Sequence, residues 1–274
     1  MLRVSAAANT AGIVRHMSRT SSDIESSLKE LATGSRLDTS PSRSSDRAIA
    51  ETLESQIRGF EAAERNTQIA SSFVQVTEGS LNEQNNILIR LRELAVQAAG
   101  DAYNDKLREY ADLEFQQLIK EFDRIAQTSK NLDSPALNGD KRSYTFQVGV
   151  HSGPENQVDV STKIDTTASG AGISGLSIED SDDAQDALED IDDALRTVAQ
   201  GRAQLGAVQM RLDTAGSHLQ TQIVNLKDSY SKYADSDIAS AVSKLRSAQV
   251  VQQYQIAALQ ANNDTETLGV KLIA

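Results

Sequence analysis

The sequence predicts a mainly α protein: an elongated antiparallel helical bundle whose two ends pair as a coiled coil, with a small β-hairpin. From Ser181 to Asn262 there is no proline, and apolar residues recur every three or four positions. That spacing places one apolar stripe along a long helix, which needs partner helices to cover it. The same period runs through Asp46–Ala99. Aromatic residues make up only 4% of the chain, as is typical of helix seams built from aliphatic side chains.

Two further helices flank the second long stripe. Residues Met1–Thr33 carry an amphipathic pattern that ends at Gly34, a residue suited to a helix C-cap. Residues Ser35–Ser45 are rich in serine and are predicted to form a connector. A third helix is predicted over Asp105–Thr128.

The period then changes from about 3.6 to 2. Tyr144–Val150 and Val158–Thr162 alternate apolar and polar residues around a Gly-Pro turn, which predicts a β-hairpin. Residues Asp165–Gly175 are predicted to be a flexible loop. The long C-terminal stripe is expected to break near Ala234–Asp237, with Asp235 or Ser236 as the new cap, and the last helix to end at Asn262–Asp264.

These elements suggest four segments: an N-terminal inner helix at 1–40, a middle domain at 41–180 continued by its C-terminal helix at 181–234, and a C-terminal inner helix at 235–274. The two end helices each carry an apolar stripe with little to cover it, so we expect them to mediate self-assembly. The predicted self-assembly residues are Ile13, Met17, Ile24, Leu28, Leu31, Ile238, Val242, Leu245, Val251, Ile256 and Leu259.

The composition narrows the class of partner. A net charge of −12 argues against a nucleic-acid or anionic-membrane partner. Cysteine is absent, which excludes disulfides and thiolate metal sites. No stretch is apolar enough for membrane insertion, and the N-terminus lacks the apolar core of a cleaved signal peptide. The chain is therefore expected to be cytosolic or to leave the cell by a dedicated route.

The sequence predicts no catalytic residue, no cofactor site and no metal site. The histidines His16, His151 and His218 are far apart in the sequence and form no metal-binding pattern. An acidic run begins at Glu179, but Gln185 stands where a calcium-binding EF-hand loop needs glycine. Carboxylates at the start of a long helix are better explained by their favourable interaction with its dipole. We therefore expect no enzymatic activity.

Five motifs, in order along the chain, resemble those of bacterial flagellins. Leu31–Leu37 (LATGSRL), Thr77–Glu83 (TEGSLNE) followed by Leu91–Gln97 (LRELAVQ), and Phe146–Gly149 (FQVG) are similar to the N-terminal and hairpin motifs of that family. Leu205–Gln209 (LGAVQ) and Ala248–Gln253 (AQVVQQ) are similar to its C-terminal motifs. The loop at Asp165–Gly175 is short where many flagellins carry large outer domains. The chain thus resembles a minimal flagellin with only the inner and middle domains.

This resemblance implies a structural subunit that self-assembles into the extracellular flagellar filament for swimming motility. It implies type III export without a cleaved signal peptide, an export chaperone, and contacts with the flagellar cap and hook–filament junction proteins. In flagellins, the residues that match Arg90, Leu94 and Glu114 contact an innate immune Toll-like receptor, and the same surface is buried between subunits. Arg90 and Leu94 are expected on an exposed face, away from the apolar stripe.

Other classes remain open at this stage. A hook–filament junction protein has ends that resemble those of flagellins, and a cytosolic helical tether would share the helix pattern without forming filaments. Some flagellins become enzymes by inserting a protease domain, for which this chain has no room. Purified subunits that stay monomeric under all conditions would favour the tether.

Overall fold

The computed structural model describes residues 2–37, 44–131, 134–135, 137–139, 143–161 and 164–273. The described residues form five α-helices and four short strands, so the predicted mainly α class is confirmed. In chain order they are α1 (Leu2–Thr33), α2 (Ser44–Ala98), α3 (Asp105–Thr128), β1 (Lys130–Asn131), β2 (Ser134–Pro135), β3 (Ser143–Gln147), β4 (Gln157–Ser161), α4 (Ser181–Ala234) and α5 (Ile238–Ile273). None of the described helices combines the length and apolarity needed to cross a bilayer.

Most of the predicted helix bounds are confirmed, but the end of the last helix is wrong. Helix α5 continues through Asn262–Asp264 to Ile273. Asparagine disfavours a helix interior mainly because its side chain competes for nearby backbone groups. The Asn262 amide instead donates to the Thr10 hydroxyl at 2.8 Å, so it leaves the helix backbone intact. The strand pair β1–β2 was not predicted, and Pro41 of the predicted connector lies outside the described residues.

The chain divides into two compact units, and the division falls within α2 and α4. Unit 1 comprises residues 1–57 and 224–274, and unit 2 comprises residues 58–223. In unit 2, α2 and α4 are antiparallel, since Glu64 bonds to Gln220 while Arg92 bonds to Asp192. Helix α3, the hairpin and the loop before α4 complete one apolar core. Its largest fully buried side chains are Phe73, Leu81, Leu88, Leu91, Phe115, Phe122, Leu137, Ile173, Ile178, Ile191, Leu205 and Leu212.

The predicted hairpin is confirmed, and it lies against α2. Strands β3 and β4 are antiparallel, with Tyr144 opposite Val160 and Phe146 opposite Val158. The ring of Phe73 on α2 lies 4.8 Å from Tyr144 and 6.0 Å from Phe146, between ring centroids. A two-stranded hairpin is marginal alone, so this aromatic contact supplies the surface that holds it.

Gly59 explains how the hairpin tip reaches α2. A Cβ atom at Gly59 would lie 2.9 Å from Cγ1 of Val150, closer than side chains normally approach. Glycine is otherwise unfavourable in a helix interior, so its place here follows from the close contact. From the sequence alone, this glycine is only an unfavourable residue in a helix interior.

The loop before α4 is packed, so the prediction of a flexible linker at Asp165–Gly175 is wrong. Ala168, Ala171 and Ile173 are buried. The Asp123 carboxylate accepts from the Ala168 amide at 3.0 Å, which fixes the loop against α3. These buried side chains are spaced three and then two residues apart, which matches neither a helical nor a strand period that a sequence pattern could detect.

In unit 1, the end of α1 meets the end of α4. Gly34 has φ +67°, which confirms the predicted C-cap. The Arg36 amide donates to the Ala234 carbonyl at 2.9 Å, and the Ser236 amide donates to the Gly34 carbonyl at 2.8 Å. The predicted break after Ala234 is confirmed, but the cap is Asp237, whose Oδ1 accepts from the amides of Ala239 and Ser240.

Candidate self-assembly surfaces

The terminal helices α1 and α5 pair along a seam that is partly polar. Along each helix, the least exposed side chains recur at alternating steps of three and four, as in a coiled coil. On α1 they are Thr10, Ile13, Met17, Thr20, Ile24, Ser27 and Leu31, and on α5 they are Ala241, Leu245, Ala248, Gln252, Gln255, Leu259 and Asn262. Six of these fourteen positions hold hydroxyl or amide side chains, where a stable coiled coil would place aliphatic ones.

Hydrogen bonds join the polar seam positions. Gln255 Nε2 donates to Thr20 Oγ1 at 3.0 Å, and Asn262 Nδ2 donates to Thr10 Oγ1 at 2.8 Å. The buried Oε1 of Gln255 has no hydrogen-bond partner among the described residues. Polar groups in a helix seam fix the register of the pair at a cost in stability. The seam therefore specifies how the helices align more than it stabilises them.

Large apolar side chains lie instead on the outer faces of the pair. The exposed ones are Val14, Leu28, Ile238, Val250, Val251, Tyr254 and Ile256. Tyr254 is 73% exposed, and it lines an apolar groove of about 400 Å³ together with Ile13 and Val251. A contiguous apolar surface of this kind marks an interaction site.

The predicted self-assembly residues thus separate into two groups. Ile13, Met17, Ile24, Leu31, Leu245 and Leu259 are half-buried members of the seam, and Val242 is half-buried beside it. Leu28, Ile238, Val251 and Ile256 are exposed outside the seam, so the expectation that one apolar stripe carries all of these residues is wrong. Their role in self-assembly stays a prediction. Leu28, for example, follows the seam residue Ser27 and is rotated from it by about 100°.

A second surface lies on α2 and α3 in unit 2, where two predicted residues meet. Arg90 Nε lies 2.9 Å from Glu114 Oε1, and Arg90 Nη1 lies 3.0 Å from Glu93 Oε2. The hydrogen bond to Glu114 is the main reason that the pKa of Arg90 is raised. Arg90 and Glu114 were predicted to share a surface, and the structure brings them together on an exposed face.

Leu94 does not belong to that exposed face. Its side chain is 3% exposed and belongs to the core of unit 2, so the expectation of an exposed Leu94 is wrong. Helix α2 packs against both α3 and α4, so it buries a stripe wider than the single seam that the sequence pattern traced. Leu94 is three residues from Leu91 and four from Ala98, which are both fully buried.

Exposed apolar side chains lie on the same two helices as the Arg90–Glu114 pair, and no sequence motif identified them. Ile89 and Val96 on α2 are about half exposed, as is Leu107 on α3. Tyr110 and Leu113 on α3 are 59% and 63% exposed. Spacing along α3 does not separate Leu107, Tyr110 and Leu113 from the buried residues of the helix, and only the packing of α3 shows that they face outward.

The described residues bring together no group of three or more histidine and carboxylate side chains that could hold a metal ion. Each surface of note is instead apolar or ion-paired, and each lies on the outside of a helical unit. This arrangement defines a class of protein: a mainly helical structural protein with exposed association surfaces.

The family follows from comparison with known proteins. Residues 4–137 match the bacterial flagellin N-terminal helical region, and residues 188–268 match the bacterial flagellin C-terminal helical region. Together these matches cover most of the chain, and they include the Arg90–Glu114 surface and most of both terminal helices. The chain belongs to the bacterial flagellin family.

Relatives match over nearly their whole length. The chain is 32% identical to a flagellin of Halalkalibacterium halodurans, covering 89% of this chain and 90% of that protein. It is also 32% identical to the flagellar filament core protein flaB2 of Brachyspira hyodysenteriae, covering 92% of each chain. The crystal structure of Bacillus cereus flagellin superposes with a TM-score of 0.51 at 26% identity, covering 57% of this chain and 88% of that one.

A hook-associated protein shares the fold. The structure of a putative flagellar hook-associated protein from Vibrio parahaemolyticus superposes with a TM-score of 0.57 over 72% of this chain and 99% of that one. Its sequence is only 14% identical, so the likeness concerns the fold alone.

Proposed function

We propose that this chain is a structural subunit of the flagellar filament and polymerises through its terminal helices. The observation that carries the proposal is the exposed apolar surface on α1 and α5, above all Tyr254, Val251 and Val14. Such side chains are unfavourable in water, and neighbouring copies can bury them all at once in a helical assembly. The filament core protein among the relatives supports the same role.

The terminal pair becomes fully ordered only in the polymer. Its seam buries amide and hydroxyl groups where apolar burial would stabilise it, so the pair alone is held weakly. Contacts with other copies cover the outer apolar faces and add the missing stabilisation. Hydrogen exchange should therefore slow most before Gly34 and after Asp235 when monomers polymerise, and equal protection in both states would refute this.

Further partners follow from the family resemblance. The subunit is exported through the flagellar type III apparatus without a cleaved signal peptide, after binding an export chaperone, and is added to the filament in contact with the cap and junction proteins. Export of an unfolded chain is compatible with the absence of cysteine, because no disulfide has to form afterwards. The subunit acts mechanically and has no enzymatic role.

The Arg90–Glu114 surface contacts another subunit in the filament and a Toll-like receptor when the subunit is free. Its support is the exposed ion pair together with the exposed side chains of Ile89 and Leu113, each next to it in sequence, and of Tyr110, one helical turn before Glu114. Arginine beside aromatic and aliphatic side chains is typical of binding hot spots. Leu94 is buried and positions α2 from within the core, so its side chain is not part of the contact surface.

A truncation tests the filament proposal. The full chain and a variant lacking residues 248–274 are incubated under assembly conditions, and polymers are counted by electron microscopy. We expect filaments from the full chain and a soluble, helical, non-polymerising product from the truncation, because the truncation removes Val250, Val251, Tyr254 and Ile256. Normal filaments from the truncated chain would refute the role of the terminal helices.

A hook–filament junction protein is the second candidate, because the ends of such proteins resemble those of flagellins. Polymer length separates the two roles: long filaments from the purified chain support the filament subunit, and short rings or monomers support the junction protein.

A further inference from the structure

A groove lies between α2 and α3 in unit 2, apart from the Arg90–Glu114 pair. Its volume is about 690 Å³, and its apolar lining includes Val76, Ile87 and Ile125. Val76 is 51% exposed, although it is a large aliphatic residue. The Glu83 carboxylate stands at its rim. The lining also contains Glu121 and Arg124, which pair with each other, so Glu83 is the lining carboxylate with no ion-pair partner among the described residues.

Gly79 lines this groove in the interior of α2. A Cβ atom added there would meet none of the surrounding described atoms within 4 Å, as is also true of Gly206 on α4. Gly79 therefore leaves open space beside the α2 backbone in the groove. Because glycine carries no side chain, it permits another molecule to approach the helix backbone closely here.

Helix α4 carries a side chain that fits such a groove. Met210 is 74% exposed, more than any other large apolar side chain that the structure describes. It is not part of the groove lining, and it points away from the core that Leu205 and Leu212 enter. Methionine is unbranched and flexible, and so adapts to irregular apolar gaps.

The charges beside these two features are complementary. Arg211 follows Met210 and is exposed, and it forms no ion pair with any residue that the structure describes. Glu83 is likewise exposed, and none of the described cations pairs with it. A cation next to the methionine and a carboxylate at the groove rim would favour docking of one on the other.

We infer that Met210 of one copy inserts into the Gly79 groove of a second copy, with Arg211 paired to Glu83. The inserted residue and the groove lie on different parts of the surface, so the contact is heterologous and each copy can repeat it. Such a contact builds an open polymer when its rotation does not close a ring. The inference rests on the proposed function, because it assigns one contact within a polymer of this chain.

Charge reversal tests the pairing in the full chain. The single variants Glu83→Arg and Arg211→Glu each place like charges together, so we expect the critical concentration for polymerisation to rise by about tenfold. The double variant restores opposite charges and should polymerise close to the wild-type concentration. Single variants that polymerise normally, or a double variant no better than the singles, would overturn the inference.

A second pair of variants tests the insertion itself. Gly79→Leu fills the groove and should block polymerisation while the monomer melts no lower than the wild type, because leucine favours a helix interior more than glycine does. Gly206→Leu is the matched control, because a Cβ atom at that glycine on α4 also meets nothing within 4 Å. Equal effects of the two substitutions on polymerisation would contradict a specific role for Gly79.

Cross-linking locates the contact directly, since the chain has no cysteine of its own. Thr128 lines the groove, so Thr128→Cys and Met210→Cys subunits are mixed, polymerised and treated with a short bismaleimide. We expect cross-linked dimers from this mixture, and none when Asp101→Cys replaces the groove variant.

Two failures of the cross-linking experiment are distinguishable. Wild-type filaments that give no cross-link, with the thiol at position 210 still as reactive as in the monomer, overturn this contact and leave the filament role intact. A wild-type chain that forms no polymer at all overturns both.

Discussion

Nε of Arg36 lies 2.8 Å from the carbonyl oxygen of Tyr233, and Nη2 of Arg36 lies 2.8 Å from that of Lys232. Both carbonyls belong to the last turn of α4, where a helix leaves its final acceptors unpaired. The residue that follows α1 by three positions therefore caps a helix nearly two hundred residues later. This contact gives the Leu31–Leu37 motif a physical role, because its arginine holds the end of α4 at the point where α5 begins.

Loss of that cap should loosen unit 1. We expect Arg36→Ala to destabilise the packing of residues 34–37 against the end of α4 by about 1–2 kcal/mol, since two charge-assisted hydrogen bonds are removed from a partly exposed site. Hydrogen exchange of the full chain should then accelerate around residues 230–240. Arg246→Ala, on an exposed position of α5, is the control and should leave those amides unchanged. Equal acceleration by both substitutions would contradict the capping role.

The Arg90 surface and its neighbour Leu94 should respond in opposite ways. Leu94→Ala removes a core side chain and should lower the free energy of unfolding by about 2–5 kcal/mol. Arg90→Ala or Glu114→Ala should leave it nearly unchanged, because exposed ion pairs contribute little. Urea unfolding of the monomers measures both. A destabilisation by Arg90→Ala as large as that by Leu94→Ala would mean that Arg90 is structural.

Replacing a polar residue of the α1–α5 seam with an apolar one should stabilise the pair but leave the alignment of the two helices less well defined. Gln255→Leu removes a buried amide whose Oε1 is unpaired, so we expect α1 and α5 to exchange their amide hydrogens more slowly in the monomer, by about 1 kcal/mol of protection. The same variant should form filaments of less uniform diameter, because the polar group no longer fixes one alignment. Gln253→Leu, on an exposed position, is the comparison. A less protected terminal pair would show that the seam depends on this amide.

Two glycines of α2 provide a matched test of packing. Gly79→Ala meets open space and should raise the stability of the monomer by about 1 kcal/mol, which is the helix propensity difference. Gly59→Ala gains the same propensity but places its methyl group against Val150, so the hairpin tip must shift and the gain should be lost. Thermal melting of both variants measures the difference. Equal melting temperatures would mean that the hairpin tip is not held against α2.

Much of the fold could be predicted from the spacing of apolar residues along the sequence alone. Helix α3 begins and ends where the pattern predicted, and the hairpin followed from alternation around a turn. The pattern failed where an element has more than one partner: Leu94 is buried because α2 packs on two helices at once. It also failed on α5, where Asn262 finds a partner on α1 that local propensity does not register.

The candidate surfaces were predictable only in part. The sequence identified Arg90 and Glu114 through family motifs, and the structure shows them paired. Spacing of three and four residues predicts that Leu28 and Val251 share one stripe with the seam residues, but both are exposed outside the seam. Thr20 and Gln255 occupy the seam instead, and no composition rule selects a hydroxyl or an amide for such a place.

The packed loop before α4 also makes the chain suitable for carrying foreign peptides. Ile173 and Ile178 are buried, and between them Ser174 and Gly175 form an exposed tip. A short sequence inserted between Ser174 and Gly175 would leave both buried anchors in place, and exposed tips of this kind tolerate insertion well. Because every copy in a polymer carries the same tip, the inserted peptide would be presented in a regular array, and a bivalent binder would then hold it far more tightly than one copy alone.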